Sequence, residues 1–282
     1  MNNIRDLFIG STSQLAVFFP KNNLEMISSR NIDISYIKSK KWRNIYIAFA
    51  NGNTFLYGAC FYKIFYATNV QYTLNLIDEI KDSCEKIIYF STTELWNLHS
   101  GALSLPGNPI DIIESYNFDH YSPYINSKAI ITTKLLEEEK YNNVIVLFPF
   151  SFNSAFRKEQ GFLFSKIFSS IIERKKIELG NINYYRELLH PKFVVKETLK
   201  VDSHKIIGSG RVVFVRDFIE KLFDKYHMKL KDYVAENKEN DYNKHNNMFY
   251  LDSRECLYAH DELYDDTIKD LDLIVWSKYG KI

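Results

Sequence analysis

The chain has 282 residues, of which 46% are hydrophobic and 25% charged, which is typical of a globular protein with one large domain or two closely joined ones. Lys and Arg number 36 against 35 Asp and Glu, so a net charge of +1 gives no general attraction to nucleic acid or to an anionic membrane. The three cysteines are far apart and predict neither a metal site nor a disulfide framework, as is typical of a reducing cytoplasm. No apolar run is long enough to cross a membrane and the N-terminus lacks a signal-peptide pattern, so we expect a cytoplasmic protein.

Short apolar runs alternate with longer amphipathic ones along the first 150 residues. The apolar runs predict strands at residues 7–9, 24–27, 44–50, 86–91 and 143–148. The amphipathic runs predict a helix from Leu15 through Phe19 and two more at residues 70–81 and 122–139. Strands with little polar alternation, separated by helices, indicate a parallel sheet covered on both faces. We therefore predict an α/β fold, with a doubly wound, Rossmann-like sheet over residues 1–150.

The pattern changes beyond residue 150. Residues 162–173 and 212–226 are predicted to be helical, and residues 235–247 form a polar loop. We predict a smaller α+β cap over residues 151–282, with a segment at roughly 189–207 returning to the first domain. Ligands of a doubly wound sheet bind at the carboxyl ends of its strands, so we expect the site there, beside the cap.

The first candidate motif lies between the first strand and the helix predicted after it. A dinucleotide-binding turn places glycines three residues apart, and this chain keeps only Gly10, with Ser13 and Ala16 at the other two places. The alternative is an ordinary strand-to-helix turn. After the second strand comes Arg30, which can pair with a ribose 2′-phosphate and slightly favours NADP over NAD, although a solvated arginine is an equal alternative.

Two further motifs carry acid–base chemistry. Tyr124 and Lys128 are four residues apart on a predicted helix, where the ammonium group can stabilise the phenolate and lower the phenol's pKa. Thr92 and Glu94 follow the fourth strand, and a hydroxyl and a carboxylate at that position can both face a ligand. The alternatives are a surface Tyr–Lys pair and a helix N-cap with a nearby acid.

Taken together and in this order, the motifs resemble the extended short-chain dehydrogenases that modify nucleotide sugars, and most closely the GDP-mannose 4,6-dehydratases. The resemblance covers nearly the whole chain. It is carried by NVQYTLNL at residues 69–76, STTELW at 91–96, HYSPYINSK at 120–128, GFLFSKI at 161–167, GNINYYRELLH at 180–190, and IGSG with VRDFIE at 207–210 and 215–220.

The resemblance implies an enzyme that uses NADP or NAD and acts on a nucleotide-diphosphate sugar. Tyr124, assisted by Thr92 and Lys128, would take the proton of the sugar 4-hydroxyl while hydride leaves C4, and Glu94 would then remove the C5 proton so that water is lost. The implied cofactor contacts are Gly10, Thr12, Ser13, Gln14, Leu15, Arg30, Asp33, Ala48, Asn69, Tyr124 and Lys128. The implied substrate contacts are Ser151, Arg157, Lys166 and Arg186.

Some positions depart from the family pattern, and the resemblance leaves alternatives open. The first turn is poor in glycine, Ser151 stands where many relatives have asparagine, and the cap is smaller than usual. An epimerase or C4-reductase of the same family needs Thr92, Tyr124 and Lys128 but no C5 base, and a cofactor-binding pseudoenzyme or partner subunit is a further alternative. Relatives pair through the Tyr–Lys helix and the helix before it, so we expect a homodimer or higher homo-oligomer. The corresponding apolar residues here are Leu74, Ile77, Ile80, Ile130, Ile131 and Leu135.

Overall fold

The computed structural model describes residues 5–52, 59–96, 103–105, 123–157, 161–237, 249–251 and 258–279. The chain divides into two compact units. Unit 1 comprises residues 1–98, 107–149 and 195–207, and unit 2 comprises residues 99–106, 150–194 and 208–282.

Unit 1 is built on a six-stranded parallel sheet. Its strands are β1 (Arg5–Ile9), β2 (Leu24–Ile27), β3 (Trp42–Ile47), β4 (Cys84–Phe90), β6 (Val144–Pro149) and β11 (Lys205–Ile207). Their order across the sheet is β11-β6-β4-β3-β1-β2. The predicted doubly wound, Rossmann-like α/β fold is therefore confirmed. Since β1 lies between β2 and β3, the chain crosses the sheet in opposite directions after β1, and ligands of such folds bind at the carboxyl ends of the strands at this point.

Helices cover this sheet. They are α1 (Ile34–Lys38), α2 (Ala59–Phe65), α3 (Thr73–Ile80) and α4 (Pro123–Glu137), and a π-helical segment, Tyr66–Tyr72, joins α2 to α3. Apolar side chains of the strands are almost completely buried beneath them, including Phe8, Ile45, Ile87 and Val146. This burial of a continuous apolar layer is the main source of the unit's stability.

The helix predicted after β1 is wrong in its length. Only a single 3-10 turn forms there, Gln14–Val17, and Ser13 caps it by accepting a hydrogen bond from the Leu15 amide at 3.3 Å. Leu15 and Phe19 are buried as the apolar pattern indicated, but the chain between them does not continue as a helix.

Most of the apolar residues that were considered for a subunit interface lie in the core of unit 1. Ile77, Ile80, Ile131 and Leu135 are at most 2% exposed, whereas Leu74 and Ile130 are partly exposed. On α2 and the π-helical segment, Ile64, Tyr66 and Tyr72 are each more than 40% exposed. An interface through these helices would therefore use the exposed Ile64, Tyr66 and Tyr72 rather than the buried residues.

Unit 2 consists of short strand pairs and helices. Its pairs are β5 (Leu103–Leu105) with β14 (Phe249–Leu251), β7 (Ser151–Phe152) with β10 (Leu188–Leu189), β8 (Ile177–Leu179) with β13 (Val234–Glu236), and β9 (Tyr185–Arg186) with β12 (Val213–Phe214). Its helices are α5 (Leu163–Glu173), α7 (Val215–Lys225), α8 (Leu230–Tyr233) and α9 (His260–Tyr279), while α6 (Pro191–Thr198) continues from unit 2 into unit 1.

Two predictions for unit 2 need correction. The helix predicted over residues 212–226 begins only at Val215, because Val213 and Phe214 pair with β9 as a strand. Of the polar loop predicted over residues 235–247, the first two residues belong to β13, and residues 238–247 lie outside the described residues. Among the described helices, none combines the length and hydropathy required to span a membrane.

Candidate functional site

The first turn of unit 1 requires glycine because the backbone leaves no room for a side chain. Gly10 has φ +118°, a conformation that other residues rarely adopt. A Cβ atom at this position would lie 2.6 Å from the carbonyl oxygen of Ala48, the residue that follows β3. Gly10 thus allows the ends of β1 and β3 to approach each other.

The amide groups of this turn are largely committed to hydrogen bonds within the protein. The amides of Gly10 and Ser11 both donate to the carbonyl of Ile27 at the end of β2, at 2.9 and 3.0 Å. Those of Ser13, Leu15 and Ala16 donate within the turn itself. A dinucleotide-binding turn normally offers such amides to a pyrophosphate, so this turn has fewer donors to offer than the glycine-rich pattern provides.

Of three other residues predicted near the cofactor, one is exposed and two are hydrogen-bonded within the protein. Arg30 is exposed after β2, whereas the Asp33 carboxylate caps α1 by accepting the Tyr36 amide at 3.0 Å. Asn69 lies in the π-helical segment and is only 1% exposed. Its carboxamide accepts from the Asn51 amide at 2.7 Å, and it donates to the Asn51 carbonyl and to Ser127 Oγ at 3.1 and 2.9 Å. The Asn69 side chain therefore fastens the segment after β3 to α4.

Lys128 lies in the interior of unit 1, on α4. It is 3% exposed, and its Nζ donates to Tyr89 Oη at 3.0 Å and to the Phe90 carbonyl at 2.7 Å. Burial lowers the pKa of Lys128 to about 7, because the charged ammonium loses its hydration there. Tyr124, one turn earlier on α4, is half-buried and interacts electrostatically with Tyr89. The structure thus brings the predicted Tyr–Lys pair into one partly buried site, which argues against a pair on the solvated surface.

Side-chain hydrogen bonds hold α4 in place beside this site. Ser127 Oγ accepts a hydrogen bond from Asn69. Thr132 Oγ1 lies 2.6 Å from the Oγ of Ser91, the residue just after β4. Both bonds are buried. Buried, satisfied polar contacts of this kind fix one arrangement of the packed elements, so the position of α4 relative to β4 is well defined.

Thr92 and Glu94 lie where β4 ends, next to α4. Thr92 is 8% exposed, and its Oγ1 accepts a hydrogen bond from the Glu94 amide at 3.2 Å, as an N-cap does. A 3-10 turn, Thr93–Trp96, follows and packs against α4. Thr93 is held by a hydrogen bond from its Oγ1 to the Pro149 carbonyl at 3.3 Å. The capping alternative and the ligand-facing hypothesis are compatible, because the capping bond uses only one of the acceptor positions of Thr92.

Unit 2 contains the predicted substrate contacts in two places. Arg186 Nε donates to Ser151 Oγ at 3.1 Å, which joins two of the four residues. Arg157 and Lys166 line a cavity of about 420 Å³ together with Lys175. Two acids, Glu173 and Glu178, share this wall with the three cations, and Lys175 pairs with Glu173 at 2.6 Å, so the charges largely balance. Arg157 also donates to Asn153 Oδ1 at 3.1 Å, and its guanidinium stacks 3.4 Å from the centre of the Phe162 ring.

Sequence reasoning missed Tyr89 and Glu187. Tyr89 follows Ile87 and Ile88 in the apolar, buried half of β4, so no local pattern marks it as a partner of Lys128. Glu187 is completely buried and accepts hydrogen bonds from Ser209 Oγ at 3.0 Å and from the Gly210 amide at 3.2 Å. Its burial is visible only in the structure, so the sequence alone offers no signal for its role.

Comparisons with known proteins concern the family and the fold of this chain. A model of the NAD dependent epimerase/dehydratase family matches residues 57–211, whereas no curated protein matches the chain. The structure of RMD from Pseudomonas aeruginosa complexed with NADPH is similar, with a TM-score of 0.67 and 16% identity over 98% of this chain and 100% of that chain. UDP-N-acetylglucosamine 4-epimerase from Methanobrevibacter ruminantium, in complex with UDP-N-acetylmuramic acid, has a TM-score of 0.71 and 15% identity over 98% of this chain and 100% of that one. A DesIV double mutant, a dTDP-glucose 4,6-dehydratase from Streptomyces venezuelae with NAD and DAU bound, has a TM-score of 0.71 and 14% identity over 98% of each chain.

Proposed function

Because the chain belongs to the NAD dependent epimerase/dehydratase family, we propose that it is an NAD(P)-dependent enzyme that modifies the sugar of a nucleotide-diphosphate sugar through a 4-keto intermediate. The observation that carries this proposal is the buried Lys128 one turn from Tyr124, on a helix packed against the 3-10 turn that contains Glu94 and directly follows Thr92. As the specific reaction, we propose the 4,6-dehydration of a GDP-sugar.

The residues of unit 1 fit the nicotinamide half of a dinucleotide better than its pyrophosphate half. Tyr124 and Lys128 would meet the nicotinamide riboside, because they lie on α4 beside the carboxyl end of β4. The turn at Gly10 lets the backbone approach a phosphate closely, but most of its amides are committed, so side chains such as Thr12 and Ser13 would have to supply hydrogen bonds. The chemistry that the bound cofactor would supply is to accept hydride from C4 of the sugar and to return that hydride in a later step.

Tyr124 would act as the base for the 4-hydroxyl proton. The form that accepts this proton is the phenolate, which becomes the neutral phenol, and a neighbouring ammonium group stabilises the phenolate. Lys128 can supply that charge because it is fixed by Tyr89 and Phe90 through two of its three N–H donors, so a third donor remains. Thr92 would orient the same sugar hydroxyl through its own hydroxyl group.

Glu94 would perform the step that distinguishes a dehydratase. Oxidation at C4 acidifies the C5 proton, and a carboxylate held at the end of β4 can remove that proton as the C6 hydroxyl leaves as water. Ser151, Arg157, Lys166 and Arg186 would bind the nucleotide diphosphate, for which their charge and hydrogen-bonding groups are suited.

The decisive experiment incubates the protein with a panel of nucleotide sugars in deuterated water and follows the products by mass spectrometry and NMR. A dehydratase loses water and incorporates deuterium at C5. Glu94→Gln should still oxidise C4, seen as cofactor reduction at 340 nm, and then stall without losing water. Glu79→Gln is the control, since Glu79 is exposed and pairs with Lys38 at 3.0 Å on the surface. Wild-type turnover with no water loss and no C5 deuterium would exclude the dehydratase reaction.

Two alternative functions predict different outcomes. An epimerase or C4-reductase would use Thr92, Tyr124 and Lys128 without the C5 base, so Glu94→Gln would retain nearly full activity. A cofactor-binding pseudoenzyme or partner subunit is favoured by the committed amides of the Gly10 turn. Incubation with NADPH or NADH and the nucleotide-sugar panel separates this last possibility, because a cofactor-binding pseudoenzyme binds the dinucleotide but converts none of the sugars.

A further inference from the structure

The ammonium group of Lys128 is held from the side of the sheet by β4. Two groups of that strand accept its hydrogen bonds, the phenolic oxygen of Tyr89 at 3.0 Å and the carbonyl of Phe90 at 2.7 Å. The Lys128 Nζ also lies 4.6 Å from the centre of the Tyr89 ring, so the aromatic face adds a cation–π attraction. All of these groups are buried.

Tyr89 itself is not a candidate for the catalytic base. Complete burial raises its pKa well above the usual value, and the charge of a Tyr124 phenolate would raise that pKa further. The Tyr89 phenol therefore remains neutral and serves Lys128 as a fixed acceptor. The carbonyl of Phe90 belongs to the backbone, so every substitution keeps it. Of the two acceptors, the Tyr89 phenol is therefore the one that a substitution can remove.

The surrounding contacts make the position of Tyr89 well defined. Tyr89 and Ser91 are two residues apart, which places their side chains on the same face of the sheet, and Lys128 and Thr132 are four residues apart, which places theirs on the same face of α4. The Ser91–Thr132 bond thus holds the strand and the helix together next to the Tyr89–Lys128 bond.

We propose that Tyr89 is a positioning residue, whose phenolic oxygen fixes the Lys128 ammonium so that a single N–H remains for Tyr124 and the cofactor. The functional half of this inference rests on the proposed function. The structural half, that Tyr89 stabilises the charged form of Lys128, is independent of the proposed function.

The structural half is tested on the cofactor-free protein. The 13Cε resonance of Lys128 in lysine-labelled protein, assigned by its loss in Lys128→Met, reports the protonation of this side chain. The wild-type midpoint is expected near the pKa of about 7 that burial imposes. Tyr89→Phe keeps the ring but removes the acceptor, so the midpoint should fall by about one pH unit.

The matched control is Tyr46→Phe. Tyr46 is a buried tyrosine on the neighbouring strand β3, and its phenol interacts with Asn44. This change should leave the Lys128 midpoint where it is. Equal midpoints for the wild type and Tyr89→Phe would overturn the proposal, and so would an equal fall in both variants, because that result would indicate a general effect of packing.

The functional half uses a substrate found with the nucleotide-sugar panel. Tyr89→Phe should lower kcat about tenfold with little change in KM, and should move the alkaline limb of the pH–kcat profile to lower pH. An unchanged profile would overturn this half. If the wild type binds neither NADPH nor NADH, the proposed function fails, whereas the resonance of Lys128 still decides the role of Tyr89.

Discussion

Replacement of Gly10 by alanine tests how closely β1 and β3 approach each other. The new Cβ would lie 2.6 Å from the Ala48 oxygen and 2.9 Å from the Ala48 carbonyl carbon, at a φ of +118°. An unfavourable φ costs about 1–3 kcal/mol, and forcing a methyl group into a packed site costs about 1–3 kcal/mol more. We therefore expect Gly10→Ala to lower the free energy of unfolding by about 4 kcal/mol and Tm by about 10 °C.

Gly52→Ala is the matched control for this change. No atom lies within 4 Å of the Cβ position at Gly52, so alanine there should alter stability by less than about 1 kcal/mol. Thermal unfolding followed by circular dichroism and calorimetry gives both values under the same conditions. If the two variants melt at the same temperature, the close contact at Gly10 is not a feature of the protein in solution.

Three further predictions concern the site and the assembly. Tyr124→Phe should leave folding intact and lower kcat by roughly 10²-fold or more, since the ring stays but the proton acceptor is lost; an unchanged kcat would remove Tyr124 from the mechanism. Because the pKa of Lys128 is lowered from 10.5 to about 7 in the folded state, the unfolded chain binds more protons between these values, and stability should rise with pH by about 2 kcal/mol between pH 7 and 9. Urea unfolding should show this rise in the wild type and lack it in Lys128→Met, and parallel curves would contradict the burial of the ammonium. Light scattering at micromolar concentration should show a dimer or higher oligomer that Ile64→Lys dissociates, because Ile64 is 51% exposed on α2; a wild-type monomer would refute this.

The sequence predicted best those elements whose stability depends on local pattern. β2 was predicted with its observed bounds, and the apolar runs of β1, β4 and β6 were placed to within a few residues, because a continuous apolar run predicts a buried parallel strand wherever it occurs. The helix predicted after β1 was wrong because a local pattern does not include hydrogen bonds to another strand. Leu15 and Phe19 have helical spacing, but the bonds of the turn to Ile27 hold the chain in another conformation.

Side chains that act through distant partners were beyond the reach of sequence reasoning. Tyr124 and Lys128 are four residues apart, so their proximity was predictable, whereas the Tyr89–Lys128 and Asn69–Ser127 bonds join positions 39 and 58 residues apart. Asn69 was assigned to the cofactor from its motif alone. Its three hydrogen bonds to Asn51 and Ser127 depend on the relative placement of β3, the π-helical segment and α4, which no local pattern contains.

The π-helical segment, Tyr66–Tyr72, has a consequence for protein engineering and for divergence within the family. Its wider turns are less stable than α-helical ones, and such segments persist mainly where they place a particular side chain. Deleting one residue within it would let α2 and α3 merge into a regular helix, but would rotate Asn69 away from Asn51 and Ser127. Because those hydrogen bonds fasten the segment after β3 to α4, such a deletion should lower stability despite the more regular helix, so variants and relatives are expected to keep the length of this segment.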